Sequence, residues 1–395
     1  MSVGAAQPDA EAAASGNRAP RRRRRLWPLW VLLLILLGVV TYLHRYDLRS
    51  YAVLEHFTDP QASGPLLNLE TYPVTTEEIT IPAASGPIRA RLFLPAGAAH
   101  PHGMVAVHGI HHLGMDEPRL MSFSRAVAGS GLAVLTPQID ALADYHVDGA
   151  SIPIIGESAA WLDQRLGTGP VTVTGISFGG GLTLLAAADP RYAPHVRALA
   201  LMGAYDDLAR VSRFLATSQE EFPDGRTIPF AAHDYGASVF VYAHLNQFFP
   251  AGDLTAAHEA LRAWLREQPE DAKPWIARLS PASQGTMDAL LARRIDEVRP
   301  QILNAIHTDE VELAALSPHG HLASLRVPVF ILHGSADNVI PPAESQWLKQ
   351  DVPHEDVRAV LITGAFSHVD PEKDASIWEE LRLVHFIAGV LRAAN

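Results

Sequence analysis

Three consecutive segments constrain this chain more than any other stretch: Pro170-Val171-Thr172-Val173-Thr174, then Gly175-Ile176-Ser177-Phe178-Gly179, then a run from Gly180 to Ala188. β-Branched residues crowd the first, as in a buried strand, and the third is an apolar helical run that stops before Pro190. Strand and helix have only a few residues in which to reverse direction. So sharp a turn holds its central residue in strained backbone, and glycines on either side leave room for neighbouring chain. Ser177 is therefore expected to stand exposed at the carboxyl edge of a sheet. A glycine-rich turn with a bystander serine would look the same locally, so residues elsewhere must separate the two readings.

From Glu77 onward, strand-like runs alternate with helical ones, which predicts a mostly parallel sheet covered by helices on both faces. The expected strands are 77–82, 87–94, 103–108, 132–137, 170–175, 196–203, 327–333 and 357–363. Helices are expected at about 117–130, 152–166, 179–188, 342–350 and 373–393. The short link 83–87 makes the first two strands an antiparallel edge. Between Tyr205 and about Leu322 the alternation stops, and apolar residues such as Leu254, Leu261 and Leu265 recur at helical spacing. This predicts a mainly helical insertion. It leaves the sheet where open α/β sheets bind ligands, so it reads as a cap, with a decorative subdomain or an oligomer contact as the alternative.

The N-terminus carries a separate signal. Five arginines, Arg21 to Arg25, precede eighteen uncharged residues, Leu26 to Leu43. At about 1.5 Å each these span about 27 Å, close to the hydrocarbon thickness of a bilayer. The run exceeds the ~7–15 residues of a signal-peptide centre, and no small-x-small cleavage site follows it. Residues 26–43 are thus expected to be an uncleaved transmembrane signal anchor, with Trp27, Trp30, Tyr42 and Tyr46 near the interfaces. The arginines hold residues 1–25, a disordered tail, in the cytoplasm and send the rest to the extracytoplasmic side. Residues 44–76, with Pro60, Gly64, Pro65 and Pro73, read as a spacer.

Residues 1–43 hold six arginines and two acids, so 25 bases and 41 acids remain beyond them, a formal charge of −16. So acidic a domain is a poor partner for nucleic acid. With no cysteine, the chain has no disulfide, thiolate metal site or cysteine nucleophile. Three lysines among 31 basic residues, with abundant alanine, suggest a GC-rich bacterial genome.

A serine hydroxyl needs a base within reach before it can attack. After the strand at 327–333 comes Gly334-Ser335-Ala336-Asp337, and after the strand at 357–363 comes Gly364-Ala365-Phe366-Ser367-His368. Both loops fall at the sheet edge expected for Ser177. Through Gly175-Ile176-Ser177-Phe178-Gly179, Gly334-Ser335-Ala336-Asp337 and Ser367-His368, the sequence resembles the α/β-hydrolase superfamily over about 77–206 and 323–395, where the order serine, aspartate, histidine also belongs. The resemblance implies a core in those two parts around an insertion at 207–322. It implies Ser177 as nucleophile, His368 as its general base and Asp337 as the carboxylate that orients the histidine. The oxyanion would be held by the backbone N–H groups of Phe178 and, from the His108-Gly109 turn, Ile110. The longer Gly-Gly run of many lipases is absent there. His108, Gly109, His111 and His112 are pocket candidates, and neither a metal nor a cofactor is implied.

Asp206, at the end of the sixth strand, is the reserve for Asp337. Asp140 and Asp144 read as solvated loop charges, and His233, His244, His319 and His321 as packing or surface groups. The expected activity is hydrolysis of a small-molecule or lipid-like ester by a membrane-anchored serine hydrolase. A serine peptidase or amidase of the same fold remains open, with Glu220 and Glu221 as faint candidates for gripping a peptide terminus. So does a non-catalytic binding protein that keeps the fold as a scaffold. Nothing in the sequence reads on oligomeric state.

Overall fold

The central strands of the sheet are buried along nearly their whole length because they are covered on both sides. In the computed structural model, which describes residues 44–69, 71–233, 235–366 and 376–395 and positions 1, 2, 4, 30, 31, 33 and 38 before them, ten strands are present. They are β1 (Val74–Ile81), β2 (Ile88–Pro95), β3 (Gly103–Val107), β4 (Ala133–Pro137), β5 (Val171–Ile176), β6 (Val196–Met202), β7 (Gln219–Glu221), β8 (Thr227–Pro229), β9 (Val329–Gly334) and β10 (Val357–Thr363). All but β7 and β8 form one sheet in the order β1-β2-β4-β3-β5-β6-β9-β10. β1 and β2 pair antiparallel, as do β2 and β4, and the remaining neighbours are parallel. Every expected strand is found, including the antiparallel edge.

Alternation along each strand feeds two separate apolar layers. Val105, Val107, Leu199 and Leu201 point into one cluster, while Met104, Ala106, Ala200 and Met202 point into the other. The first layer is closed by α3 (Ser151–Leu166) and α4 (Phe178–Ala188). The second is closed by α1 (Arg45–Thr58), α2 (Pro118–Gly129) and α12 (Ile377–Ala394).

Helix α1 corrects the reading of 44–76 as a spacer. Tyr46, Val53, Leu54 and Phe57 recur at helical spacing and pack on the second layer, with Val53 buried against it. The prolines that suggested a linker all follow the helix. The anchor segment 26–43 lies outside the described residues except for four helical positions, Trp30, Val31, Leu33 and Gly38. Among the described residues no helix is long and apolar enough to cross a membrane. Met1–His44 and Arg45–Asn395 are separate compact units, and all that follows concerns the second.

After β6 the chain enters a helical stretch that contains α5 (Leu208–Thr217), the β7–β8 hairpin, α6 (Gly236–Ala243), α7 (Leu254–Leu265), α8 (Pro269–Ile276), α9 (Pro281–Leu291) and α10 (Ile295–Thr308), then a last turn at Glu310–Ala315. Its return is tied to its departure. Tyr205 Oη donates to Leu316 O (2.8 Å), Leu208 N–H to Ser317 Oγ (2.9 Å) and His319 N–H to Asp206 O (3.0 Å). α11 (Ala343–Asp351) separates β9 from β10.

Because α1 is part of the core, Val53→Ala should lower the free energy of unfolding by about 2 kcal/mol in chemical denaturation. An unchanged midpoint and slope would mean that α1 is not built into the domain.

Candidate active site

β5 delivers the chain to Ser177, where φ is 53° and ψ is −131°, a conformation that costs a non-glycine residue on the order of 1–3 kcal/mol. Neighbours hold it there. Ser177 N–H donates to Met202 O at the end of β6 (2.8 Å), and Ser177 O accepts from Gly180 N–H (2.8 Å). The loop after β3 lies directly on the turn. A Cβ on Gly179 would stand 2.3 Å from His108 O, and one on Gly109 would stand 2.9 Å from Ser177 Cβ. Only residues without a side chain permit that approach.

Ser177 is 4% exposed, so it is not the open edge residue the sequence suggested. It lines a cavity of about 740 Å³, walled by Phe57 of α1, Phe123 of α2, and Tyr235 and Trp264 of the insertion. The insertion covers this edge of the sheet as a cap would, and α1 adds a wall that the spacer reading did not foresee. Two backbone donors border the serine. As the first residue of α4, Phe178 has no acceptor for its N–H within the helix, and among the described residues neither it nor Ile110 N–H donates a hydrogen bond.

Asp337 follows β9 and is fully buried. Its Oδ1 accepts N–H groups from Val339 and Ile340 (3.0 Å each), which fixes the carboxylate. The adjacent His333 Nε2 is 3.4 Å from Asp337 Oδ2 but 2.9 Å from Ile340 O, with Nδ1 2.6 Å from Ser345 Oγ, so its ring is already committed. Asn338 and Val339 line the same cavity as Ser177. His368 lies outside the described residues.

The histidines after β3 divide into two kinds. His108 is buried; its Nε2 accepts Ile139 N–H (3.1 Å), which leaves the proton on Nδ1, 2.8 Å from Gly109 O. It braces the loop, with both nitrogens engaged. His111 and His112 stack at 4.7 Å and face the cavity, and Tyr145, whose hydroxyl donates to Leu265 O (2.6 Å), stands 3.4 Å from His112 Nδ1. Burial, then the neighbouring His112, pushes the His111 pKa down. Burial pushes the Tyr145 hydroxyl up to about 12, so it stays a proton donor at neutral pH.

Several other residues serve purposes the sequence did not suggest. Asp144 is not a solvated charge, since it receives Arg262 Nε (3.1 Å) and the Tyr242 hydroxyl (3.2 Å). Asp140 does remain at the surface. Glu220 accepts Ala343 N–H (2.8 Å) and Glu221 pairs with Arg213 (3.1 Å), so both structural carboxylates have partners within the fold. His233 lines the cavity, while His244 and His321 bond backbone carbonyls. Asp206 is fully buried and bound by Arg210 (2.9 Å). Missed altogether were Phe57, Tyr235 and Trp264, apolar or aromatic residues that look like any core position until the cavity is seen.

The buried His108 gives a testable pH dependence. Burial lowers its pKa from 6.5 to about 4, so the unfolded chain binds a proton through this window that the folded chain does not. Its contribution to stability is complete above pH 6.5 and falls away as pH drops toward 4, by on the order of 3 kcal/mol. His108→Gln should therefore show a shallower loss of unfolding free energy between those values in denaturant titrations. Parallel curves for the two proteins would refute the assignment.

A family model described as alpha/beta hydrolase fold matches residues 150–372, more than half of the chain. Among solved structures, the chain is similar to an esterase from Pyrobaculum calidifontis (20% identity, covering 90% of this chain and 94% of that one, TM-score 0.45). It is also similar to the esterase domain of a Rhodothermus marinus protein (16%, 81% and 97%, TM-score 0.43) and to an acylaminoacyl peptidase from Pyrococcus horikoshii (12%, 81% and 41%, TM-score 0.47). No curated protein sequence matches. By its family match and its eight-stranded, mostly parallel sheet, the chain belongs to the α/β-hydrolase fold family.

Proposed function

We propose that the protein is a membrane-anchored serine hydrolase that cleaves a carboxylic ester through an acyl-enzyme on Ser177. The observation that carries this reading is the strained Ser177 turn on the wall of a cavity, beside two backbone N–H groups that donate no hydrogen bond among the described residues. His368 takes the proton of Ser177 Oγ as that oxygen attacks the ester carbonyl. The developing oxyanion is held by Phe178 N–H and Ile110 N–H, donors that need no rearrangement when charge appears. When the intermediate collapses, the alkoxide leaves with the proton from His368. Water, deprotonated by the same histidine, then attacks the acyl-enzyme and releases the acid, while Asp337 keeps the imidazole oriented and supports its charged form.

A cavity of about 740 Å³ suits a small or medium-sized ligand, and its apolar and aromatic walls suit an acyl chain. α1, which supplies Phe57 to that wall, begins at Arg45, directly after the apolar segment 26–43. The apolar walls support a lipid-like ester as substrate, and the uncharged run 26–43 behind Arg21 to Arg25 supports an anchor with the arginines cytoplasmic and the catalytic domain extracytoplasmic. The partners found for Glu220 and Glu221 leave them no part in gripping a peptide ammonium, which favours ester over peptide cleavage.

A fluorophosphonate probe should label the full-length protein and fail to label Ser177→Ala, and ester turnover should fall by at least about 10³-fold in Ser177→Ala and in His368→Ala. Equal turnover by His368→Ala across short- and long-chain esters and aminoacyl anilides would leave the fold as a scaffold. Retention in the membrane after an alkaline wash, with a C-terminal reporter active outside the cytoplasm, is the expected topology. A cytoplasmic reporter signal overturns it.

A further inference from the structure

Where the helical insertion returns to the sheet, three carboxylates gather around one guanidinium and one imidazole. Asp206 and Glu344 are both fully buried, and a single guanidinium, that of Arg210, serves the two. Glu344 takes most of it. Its Oε1 receives Arg210 Nε (2.6 Å), while its Oε2 receives Arg210 Nη2 (3.1 Å) and the N–H groups of Asp206 (2.8 Å) and Asp207 (3.0 Å). Asp206 has only Arg210 Nη2 on Oδ2 (2.9 Å), and among the described residues its Oδ1 has no hydrogen-bond partner. A buried carboxylate oxygen left bare costs on the order of 1–3 kcal/mol or more, so it calls for a partner.

Two further groups converge on it. His319 is held in place by its own backbone N–H, which donates to Asp206 O (3.0 Å), and its Nδ1 stands 3.7 Å from Asp206 Oδ2 and 2.5 Å from Asp351 Oδ2. One ligand atom from each of Asp206, His319 and Asp351 lies within 4.8 Å of the others. Three carboxylates and one guanidinium leave two negative charges. A protonated His319 would cancel one of them; a divalent cation cancels both.

We propose that Asp206, His319 and Asp351 bind a divalent transition-metal ion of the zinc type, which clamps the return of the insertion to the end of β6 and the end of α11. One imidazole with carboxylates suits zinc better than magnesium or calcium, which prefer all-oxygen shells. Zinc ligands at about 2.0–2.2 Å stand roughly 3.3 Å apart in a tetrahedron. The 3.7 Å pair already approaches that spacing, and the 2.5 Å pair reaches it if Asp351, the partly exposed last residue of α11, withdraws by less than about 1 Å. His319 is half exposed, so the remaining position opens to water. The site is separate from Ser177, and the clamp is structural.

Zinc chloride titrated calorimetrically into the chelator-treated full-length protein should show a single equivalent bound and raise the melting temperature, whereas magnesium chloride should do neither. His319→Gln and Asp351→Asn alter partly exposed side chains and should each weaken zinc binding at least about tenfold. His307→Gln, at a fully solvated histidine of the insertion, should leave it unchanged. X-ray absorption at the zinc edge of the parent protein should report one imidazole among oxygen ligands. Absence of zinc uptake by the parent, binding unaltered in both site variants, or a shell with two or more imidazoles would overturn the proposal.

Discussion

The structure depends on keeping one serine in a backbone conformation that serine does not choose. Ser177 sits at φ 53° because the sheet and helix around it are packed too closely to allow anything else: β3's exit loop lies against α4's first turn, and Met202 at the end of β6 takes the serine's N–H. The strain, of order 1–3 kcal/mol, is offset by the two apolar layers on either side of β5, the strand that ends at the turn. The same packing brings Gly109 onto Ser177, and Ile110 lines the cavity beside it.

Around that centre, the charged residues of the interior organise attachment more than chemistry. Arg210 joins Asp206 to Glu344, and Asp144 ties Tyr242 and Arg262 to the exit of β4. Each of these pairs crosses from the core of the sheet to the insertion or its flanking helix. Breaking one partner of such a buried pair is far more damaging than never having had the pair, because it strands a desolvated charge. The contacts make the insertion's position on the sheet specific, and they explain why carboxylates that sequence alone leaves at the surface are withdrawn from it.

The sequence was most readable where periodicity reports burial on both faces. β3, β4 and β5 are buried runs rich in apolar and β-branched residues, and Ser177 falls at the turn between β5 and α4 where the β-branched run predicted it. Reading failed where burial is set by a partner distant in sequence. α1 is amphipathic, yet its stripe of Tyr46, Val53 and Phe57 is followed by prolines and preceded by a much stronger apolar signal. Asp144 looks like a loop acid until Arg262, more than a hundred residues later, folds onto it. The insertion was legible as a cap, but α1's share in walling Ser177 was not, since Phe57 lies in a segment that read as a spacer.

β6 and β9 are hydrogen-bonded neighbours in the sheet, from Leu199 opposite Val329 to Met202 opposite Leu332. The insertion of more than a hundred residues leaves after one of these strands and returns before the other. The two strands run parallel, so the chain crosses back to the start of β9 only after the insertion. The insertion's own ends are already joined beyond β6, where Leu208 N–H donates to Ser317 Oγ (2.9 Å) and His319 N–H to Asp206 O (3.0 Å), so the sheet closes the same way whatever the length or content of what lies between. In evolutionary terms the insertion is a cassette. It can be lengthened, shortened or replaced with little penalty in loop-closure entropy, and selection on substrate range can act on it while the Ser177 turn stays fixed.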